Sequence, residues 1–290
     1  MRPGTRAGNA VEEPREESID LPSPYTGRLL CAPVEEGMRR KLLDLLRHKG
    51  QPWLADIRAR LVGAGGRELY AVALRDDQPV AHAWLSSSEG CPEVGWIGHV
   101  FTSPDHRRHG LAGGLMEGLV DRFDRWGGRW LALATGNQAA ARIYRRVGFR
   151  VVQGDPEADH AVMMRSEEEA DWPETYAQNS GEWTVEPLAL AHCGALSTFL
   201  GAWPGENKLP VLNVDTGLEA EEALVRACQR QADGEISCAV LVDAETGRPH
   251  GVSWLREATL EVFAPGLGTE AERTFIQQSL WMAEHPREED

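Results

Sequence analysis

Hydrophobic positions along the chain follow two alternating periods, which predicts a mixed α/β fold. Seven short apolar segments bounded by turn residues are predicted strands: 27–34, 69–74, 80–85, 94–102, 129–134, 149–153 and 160–164. Four longer segments with apolar residues every three to four positions are predicted helices: 35–48, 52–62, 110–126 and 137–147. The order β-α-α-β-β-β-α-β-α-β-β predicts a mixed central sheet flanked by helices.

The same order of elements begins again in the C-terminal part of the chain. The predicted elements there include strand 183–188, helices near 191–200 and 219–231, strand 259–263 and helix 270–282. The segment from Cys238 to Trp254 parallels the segment from Tyr70 to Trp84, and each Trp lies five residues after a Pro and precedes a Leu. This likeness predicts an internal duplication with a shorter second copy.

Local composition divides the chain into four parts. Residues 1–24 are rich in Pro, Gly and Glu and lack periodicity, which predicts a disordered tail. Residues 25–168 form the predicted first domain, and the polar stretch 169–181 is the predicted linker. Residues 182–290 form the predicted second, smaller domain.

Composition and charge exclude several classes of partner. The 290 residues are 42% apolar, enough for a sizeable core, and carry a formal net charge of −15. Such an acidic chain is not expected to bind nucleic acid or an anionic membrane, and it mildly favours a cationic partner such as an amine. No apolar run is long enough to cross a bilayer, and the first residues lack the apolar region of a secretory signal. Five cysteines without a CxxC pair predict reduced thiols in a cytoplasmic protein, with no zinc or other metal site.

The first candidate site is the segment Val100 to Gly114, in which a strand runs through a turn of the form Arg-x-x-Gly-x-Ala into a helix. Backbone N–H groups in the first turn of a helix have no partner within the helix, and the helix dipole adds to their positive potential. Small residues such as Gly110 and Ala112 let a diphosphate approach this backbone, and Arg107 and Arg108 add positive charge. Taken alone, the hexapeptide fits an ordinary strand-to-helix turn equally well.

The second candidate segment lies downstream, from Asn137 to Phe149. Asn137 is a good helix N-cap, and Tyr144 follows seven residues later, about two helical turns along the same face. Gly148 lies where a left-handed residue would end the helix. Each of these residues alone fits a capping or packing role.

Together the two segments resemble the GNAT N-acetyltransferase superfamily, and the predicted element order from 27 to 164 is similar to that fold. The resemblance covers roughly half of the chain. It implies an acyl-CoA donor, most often acetyl-CoA, and an amine acceptor. The implied cofactor-binding residues are Val100, Phe101, Thr102, Arg107, Arg108, His109, Gly110, Leu111, Ala112, Gly113 and Asn137. The strand edge would hydrogen-bond the pantetheine arm and polarise the thioester carbonyl, and Tyr144 would be the catalytic acid that protonates the departing thiolate.

The general base is less clearly indicated. Some relatives carry Glu five residues before the Asn, and that position here is Ala132. His99 is the best substitute, because imidazole titrates near neutral pH, whereas His82 and Glu93 are lesser candidates. His99 also fits a half-buried strand position, and a chain of waters could remove the proton instead. In the sequence, a carboxylate that only binds the positively charged amine looks the same as a general base.

The C-terminal part resembles a degenerate GNAT copy in outline only. Its corresponding strand leads into 264–270, which carries no arginine, and the chain ends before any Asn…Tyr helix. The expected reaction is direct attack by an amine of a small molecule in a ternary complex. An acyl-Cys91 route is less attractive, since no His–carboxylate pair is indicated nearby. The alternatives are a peptide or protein N-terminal acetyltransferase and a non-catalytic acyl-CoA-binding regulatory module, and a homodimer stays open.

Overall fold

The computed structural model describes residues 15–51, 53–157, 160–166, 172–204, 208–209, 214–215 and 220–285. Its strands are Glu16–Ile19 (β1), Thr26–Cys31 (β2), Arg67–Arg75 (β3), Gln78–Ser87 (β4), Val94–Thr102 (β5), Trp130–Thr135 (β6), Arg150–Gly154 (β7), Ala161–Ser166 (β8), Trp183–Pro187 (β9), Lys208–Leu209 (β10), Val214–Asp215 (β11), Ser237–Asp243 (β12), Pro249–Arg256 (β13) and Thr259–Phe263 (β14). Its α-helices are Glu36–Leu45 (α1), Trp53–Leu61 (α2), Leu111–Arg125 (α3), Gln138–Arg146 (α4), Trp172–Tyr176 (α5), Leu190–Ala202 (α6), Ala220–Ala232 (α7) and Thr269–Glu284 (α8). Within the described ranges, no helix has the length and apolarity that crossing a lipid bilayer requires.

The larger sheet has eight strands in the order β1-β2-β3-β4-β5-β6-β8-β7. Every neighbouring pair in it is antiparallel except β5 and β6, which are parallel. Helices α3 and α4 cover one face, called here the α3 face, and α1, α2 and α6 cover the other, called the α6 face. The predicted mixed sheet flanked by helices is confirmed.

The second half contributes a four-stranded antiparallel sheet in the order β14-β13-β12-β9. Helix α8 packs on β12, β13 and β9, and its Phe275 is fully buried there. Helix α6 packs against both sheets, and its residues 193–202 are all buried, which explains why it is apolar on every side. Gly194 permits this close approach, because a Cβ there would lie 2.7 Å from the carbonyl oxygen of Ser86.

The two long hairpins have the same strand register. Tyr70 faces Trp84 in the first hairpin, and Cys238 faces Trp254 in the second. Each ladder also shifts at the same place, between the third and fourth residues after Tyr70 or Cys238. The register agrees with the predicted duplication, which stays a prediction because the second half carries no further motif of the first.

The N-terminal segment from residue 15 is more ordered than its composition predicts. Strand β1 pairs with β2, and Ile19 and Leu21 lie over Gly118 and Gly114 of α3. The prediction of a disordered tail is therefore wrong for residues 15–24, because two glycines on α3 leave space for apolar side chains of this segment. Residues 1–14 lie outside the described residues.

The predicted linker 169–181 contains a helix, α5, that packs between the halves. Trp172 and Tyr176 of this helix are buried, and the Tyr176 hydroxyl donates a hydrogen bond of 2.8 Å to the carbonyl oxygen of Pro249. One hydrophobic cluster includes residues of both sheets, among them Trp84 and Trp254. The predicted boundaries at 168 and 182 therefore separate two sheets that share a core.

Candidate active site

The parallel strands β5 and β6 separate soon after they meet. Val94, Gly95 and Trp96 pair with residues 130–132, and β5 then continues to Thr102 while it pairs with β4 alone. The edge of β5 formed by Val100, Phe101 and Thr102 consequently faces the opening between the two strands. Extended backbone in such an opening can donate and accept hydrogen bonds from a linear ligand.

His99 lies at a bulge in β5 beside this opening. Trp84 faces Gly98 and His82 faces Phe101, so that β5 has one residue more than β4 over this stretch. His99 takes up the extra length with φ of 53°, in the left-handed region. The bulge turns its ring to the α6 face, where it stacks on Trp84 with ring centroids 5.2 Å apart.

The loop after β5 presents positive charge and unpaired backbone donors. Arg107, Arg108, His109 and Gly110 are exposed, and Gly110 has φ of 77°, a conformation that suits glycine. No side chain of the described residues caps α3, whose first turn contains Leu111, Ala112 and Gly113. By contrast, Glu35 caps α1 and Asn137 caps α4 with side-chain oxygens. The N-terminus of α3 therefore keeps the backbone donors that bind anions.

Helix α4 places Asn137 and Tyr144 as the sequence predicts. The Asn137 side-chain oxygen accepts hydrogen bonds from the backbone N–H groups of Ala139 and Ala140, at 2.9 and 3.2 Å. Tyr144 is buried on the α3 face, in the cluster that contains Leu111 of α3. Burial raises the pKa of Tyr144 to about 12, so its hydroxyl is protonated at neutral pH and can donate a proton.

A second group of polar side chains lies on the α6 face of the bulge, and one member comes from the second half. Glu221 of α7 accepts a hydrogen bond of 2.9 Å from Trp96 Nε1 through Oε2. Its Oε1 lies 3.6 Å from His99 Nε2, and neither of these two atoms has a hydrogen-bond partner among the described residues. Trp53 of α2 contacts the His99 ring edge-on, with centroids 5.1 Å apart.

The group rests on a buried ion-pair network. Arg60 of α2 bonds Asp56 at 2.8 Å and Glu68 of β3 at 2.8 Å, and all three side chains are almost fully buried. Glu68 also accepts a hydrogen bond from the indole of Trp84, on which His99 stacks. Buried charges of this kind are stable only when paired, so the network holds Trp84 in a defined position.

The other base candidates lie in less suitable places. His82 is buried, and its Nδ1 lies 3.2 Å from the His99 carbonyl oxygen, so this side chain contacts the backbone of the bulge. Burial lowers the pKa of His82 to about 4. Glu93, at the start of β5, forms ion pairs with Arg248 and Arg129 at 2.7 and 3.5 Å, and thus binds the second half instead of facing the opening.

Sequence reasoning missed Glu221 altogether. The residue lies in an acidic stretch of a predicted surface helix, beside Glu222, and nothing in the local pattern distinguishes the two. Only the packing of α7 against α6 and α2 brings Glu221 inward to Trp96 of β5, whereas Glu222 forms an ion pair with Arg226 on the outer side of the same helix.

The tandem Gly113-Gly114 is explained in part by packing. A Cβ at Gly114 would lie 2.6 Å from the Leu21 side chain of the N-terminal segment, so the glycine leaves room for this side chain. A Cβ at Gly113 would meet no atom within 4 Å, so the space beside this residue is open.

Two cavities lie away from this region. One, of about 860 Å³, is an open cleft beside β12, β13 and α8 and is lined by Ile236, Leu255 and Trp281 among others. The second, of about 490 Å³, lies between α2 and α7. Neither is lined by His99, Tyr144 or the loop that precedes α3, so the opening between β5 and β6 remains the candidate site.

Comparison with known proteins finds a family match in the first half of the chain. Residues 35–149 match the model of the Acetyltransferase (GNAT) family. No curated protein shows significant similarity to the chain. Solved structures with a similar fold include an aminoglycoside 6'-acetyltransferase type Ii (15% identity, 52% of this chain and 96% of that chain, TM-score 0.38) and Escherichia coli ElaA (19% identity, 49% and 99%, TM-score 0.38). A third is RimL, a ribosomal L7/L12 alpha-N-protein acetyltransferase (17% identity, 52% and 94%, TM-score 0.40).

Residues 35–149 are therefore similar to GNAT acetyltransferases, a family that uses acetyl-CoA as its acyl donor. The observed geometry fits this donor. The uncapped start of α3 and the exposed Arg107 and Arg108 suit a diphosphate, and the free edge of β5 suits the amide groups of a pantetheine arm.

Proposed function

We propose that the protein acetylates a primary amine of a small, cationic molecule by direct attack on acetyl-CoA. The observation that carries the proposal is the position of the second half. Helix α6 packs on β4, β5, β6 and β8, and α7 reaches the His99 bulge, so the α6 face beside the opening is covered. A covered acceptor side favours a small molecule over a folded protein or a long peptide.

Charge supports a cationic acceptor. The chain has a formal net charge of −15, and Glu221 adds a carboxylate beside the opening. A field of this sign attracts an ammonium group and concentrates it near the site. The positively charged loop before α3 is the local exception, in agreement with its proposed contact with the phosphates.

On the α3 face, the proposed donor side, each residue has a physical role. Arg107, Arg108, His109 and the first turn of α3 bind the pyrophosphate, and the edge from Val100 to Thr102 binds the pantetheine arm. A backbone N–H of this edge stabilises charge on the thioester oxygen, and Asn137 orders the helix that carries Tyr144 and contacts the donor. Tyr144 donates its proton to the thiolate as the carbon–sulfur bond breaks.

On the α6 face, the proposed acceptor side, the amine must lose a proton before it attacks. Burial, together with the nearby charge of Lys49, holds the pKa of His99 well below its usual range, so the ring is neutral at pH 7. A neutral imidazole can accept a hydrogen bond from the amine. Burial raises the pKa of the Cys91 thiol, and a protonated thiol is a poor nucleophile, which supports direct attack over an acyl-cysteine route.

The test is free-thiol release from acetyl-CoA with three sets of acceptors: polyamines and aminoglycosides, free amino acids, and peptides with a free N-terminus. We expect turnover with one or more small cationic amines and a much lower kcat/KM with peptides. A preference for peptides would replace the proposal with N-terminal acetylation. Coenzyme A binding without thiol release in any set would favour a regulatory module.

A further inference from the structure

We infer that Glu221 of the second half is the acceptor-side carboxylate of the active site, where it binds the substrate ammonium together with His99 and accepts its proton. The inference rests on the proposed function. It assigns the C-terminal half a direct part in the reaction, because Glu221 lies on α7 of that half. Glu221 would act as a catalytic residue, since it would touch the reacting amine.

Two neighbouring polar atoms lack hydrogen-bond partners among the described residues and are close enough to bind one ligand. Glu221 Oε1 and His99 Nε2 are 3.6 Å apart, and neither has a hydrogen-bond partner among the described residues. Buried polar atoms of native proteins are nearly always paired, so two adjacent atoms without a partner indicate a missing ligand. An ammonium group carries several N–H donors and can bond both atoms. The two atoms are buried, whereas the side chains of Glu221 and His99 as a whole are 15% and 5% exposed, so a ligand would reach the atoms only when neighbouring groups move.

Neighbouring side chains and the bulge in β5 hold both atoms in place. The Glu221 carboxylate is oriented by the Trp96 indole through Oε2, which leaves Oε1 toward His99. The His99 ring is fixed by the bulge, by stacking on Trp84 and by edge contact with Trp53. A site on such fixed side chains needs little rearrangement when its ligand arrives.

The surrounding charges tune Glu221 for proton transfer. Burial raises the pKa of Glu221 to about 7. The charge of Asp56 acts in the same direction, whereas the hydrogen bond from Trp96 and the charges of Arg60 and Lys49 lower the pKa. A carboxylate with such a pKa is partly ionised at neutral pH and is a better base than a free one. His99, held neutral, can accept a hydrogen bond without repelling the ammonium.

The reaction balances with this assignment. The Glu221 carboxylate removes one proton from the ammonium, and the neutral nitrogen forms a bond to the acetyl carbon as the carbon–sulfur bond breaks. Tyr144 gives its proton to the thiolate and regains one, through solvent, from the nitrogen of the new amide. Glu221 then loses its proton to solvent. The products are the N-acetyl amine, free coenzyme A and one proton.

The second half has no equivalent opening of its own. Trp254 faces Glu261 and Val252 faces Phe263, so β14 runs beside β13 without the extra residue that places His99. The loop after β14 also lacks arginine. The C-terminal half thus completes the site of its neighbour and carries no second one of this kind among its described residues.

The test compares the wild-type protein with Glu221→Gln and Glu222→Gln. The first substitution keeps an oxygen for the Trp96 indole and removes the charge, and the second removes a neighbouring carboxylate that forms an ion pair with Arg226 on the outer side of α7. Each protein, saturated with coenzyme A, is titrated with spermidine, kanamycin and a free amino acid by calorimetry. Thiol release from acetyl-CoA is then measured with the same amines between pH 5.5 and 9.

We expect Glu221→Gln to weaken binding of the best amine at least tenfold, to lower kcat/KM at least tenfold and to abolish the limb of the pH profile near pH 7, while the affinity for coenzyme A is unchanged. Glu222→Gln should match the wild type. Equal amine binding and equal kcat/KM in the two variants, or no binding of any amine to the wild type, would overturn the inference. Glu221-dependent amine binding without thiol release would refute the proposed function and leave the binding assignment intact.

Discussion

Thr198 of α6 donates a hydrogen bond of 2.6 Å to the carbonyl oxygen of Gly95 in β5. Gly95 lies in the short stretch where β5 still pairs with β6, just before the two strands separate. The second half is therefore bonded to the backbone of the first at the base of the candidate site. This contact makes the position of α6 and the opening between the strands parts of one packed unit.

Replacement of Thr198 by Val tests this contact. The hydroxyl is fully buried, and its loss leaves the Gly95 oxygen without this donor, so we expect the free energy of unfolding to fall by about 1–2 kcal/mol. Urea denaturation measures the change, and Thr198→Ser, which keeps the hydroxyl, is the control. If the Val variant is as stable as the Ser variant, the hydrogen bond between α6 and β5 contributes nothing to the free energy of unfolding.

Removal of residues 1–24 tests the order found in the N-terminal segment. Glu17 forms ion pairs with Arg122 and Arg125, and Ile19 and Leu21 cover glycines of α3. We expect a loss of about 2–4 kcal/mol of unfolding free energy, chiefly from the apolar side chains. A protein that lacks only residues 1–14 keeps all of these contacts and is the matched control. If the two truncated proteins are equally stable, residues 15–24 contribute nothing to stability, as the prediction of a disordered tail requires.

The sequence predicts the elements of this fold well because each has its own local pattern. In the sequence, the apolar stripe of helix α3 and the bounds of β5 can be read directly. What the sequence does not reveal depends on contacts distant along the chain. The order of 15–24 depends on glycines in α3, and the burial of α5 depends on the gap between the sheets.

The candidate site divides in the same way. The positions of the loop before α3, of Asn137 and of Tyr144 were predictable, because they depend on helix termini and helical spacing, whereas their roles in the site stay predictions. Glu221 was not, since its position depends on how α7 packs on another domain. His99 was predicted as a candidate base on a strand, but its φ of 53° follows from a bulge that no local pattern indicates.

Substitution of Tyr144 by Phe tests the proposed acid. Because burial raises the pKa of Tyr144 to about 12, the hydroxyl carries a proton at pH 7 that Phe cannot supply. We expect kcat to fall about 100-fold, a usual contribution of general acid catalysis, with the Kd for coenzyme A within about threefold of the wild type. Tyr70→Phe, which removes another buried hydroxyl, is the control. A fall in affinity with an unchanged kcat would contradict the acid role.

Substitution of Gly110 by Asp tests the proposed diphosphate contact. A Cβ at this position would meet only Pro22, at 3.9 Å, so a side chain fits, and both Asp and Asn tolerate the left-handed backbone. The two variants differ in charge alone. We expect Asp to weaken coenzyme A binding at least tenfold relative to Asn at low salt, and the difference to shrink as salt is added. Equal affinities, measured by calorimetry, would place the phosphates elsewhere.

The pH dependence of stability tests the environment of Glu221 without any substrate. Burial raises the pKa of Glu221 from 4.5 to about 7, so the folded protein holds a proton that the unfolded chain has already lost between these values. Its contribution to stability is therefore complete below pH 4.5 and is lost as the pH rises through 7. Because Gln does not titrate, the unfolding free energy of the wild type minus that of Glu221→Gln should fall by about 2–3 kcal/mol from pH 4.5 to 8. Urea denaturation of both proteins at each pH gives this difference, in which other titrating groups cancel. A difference that stays constant over the range would mean that Glu221 lies in water and not beside His99.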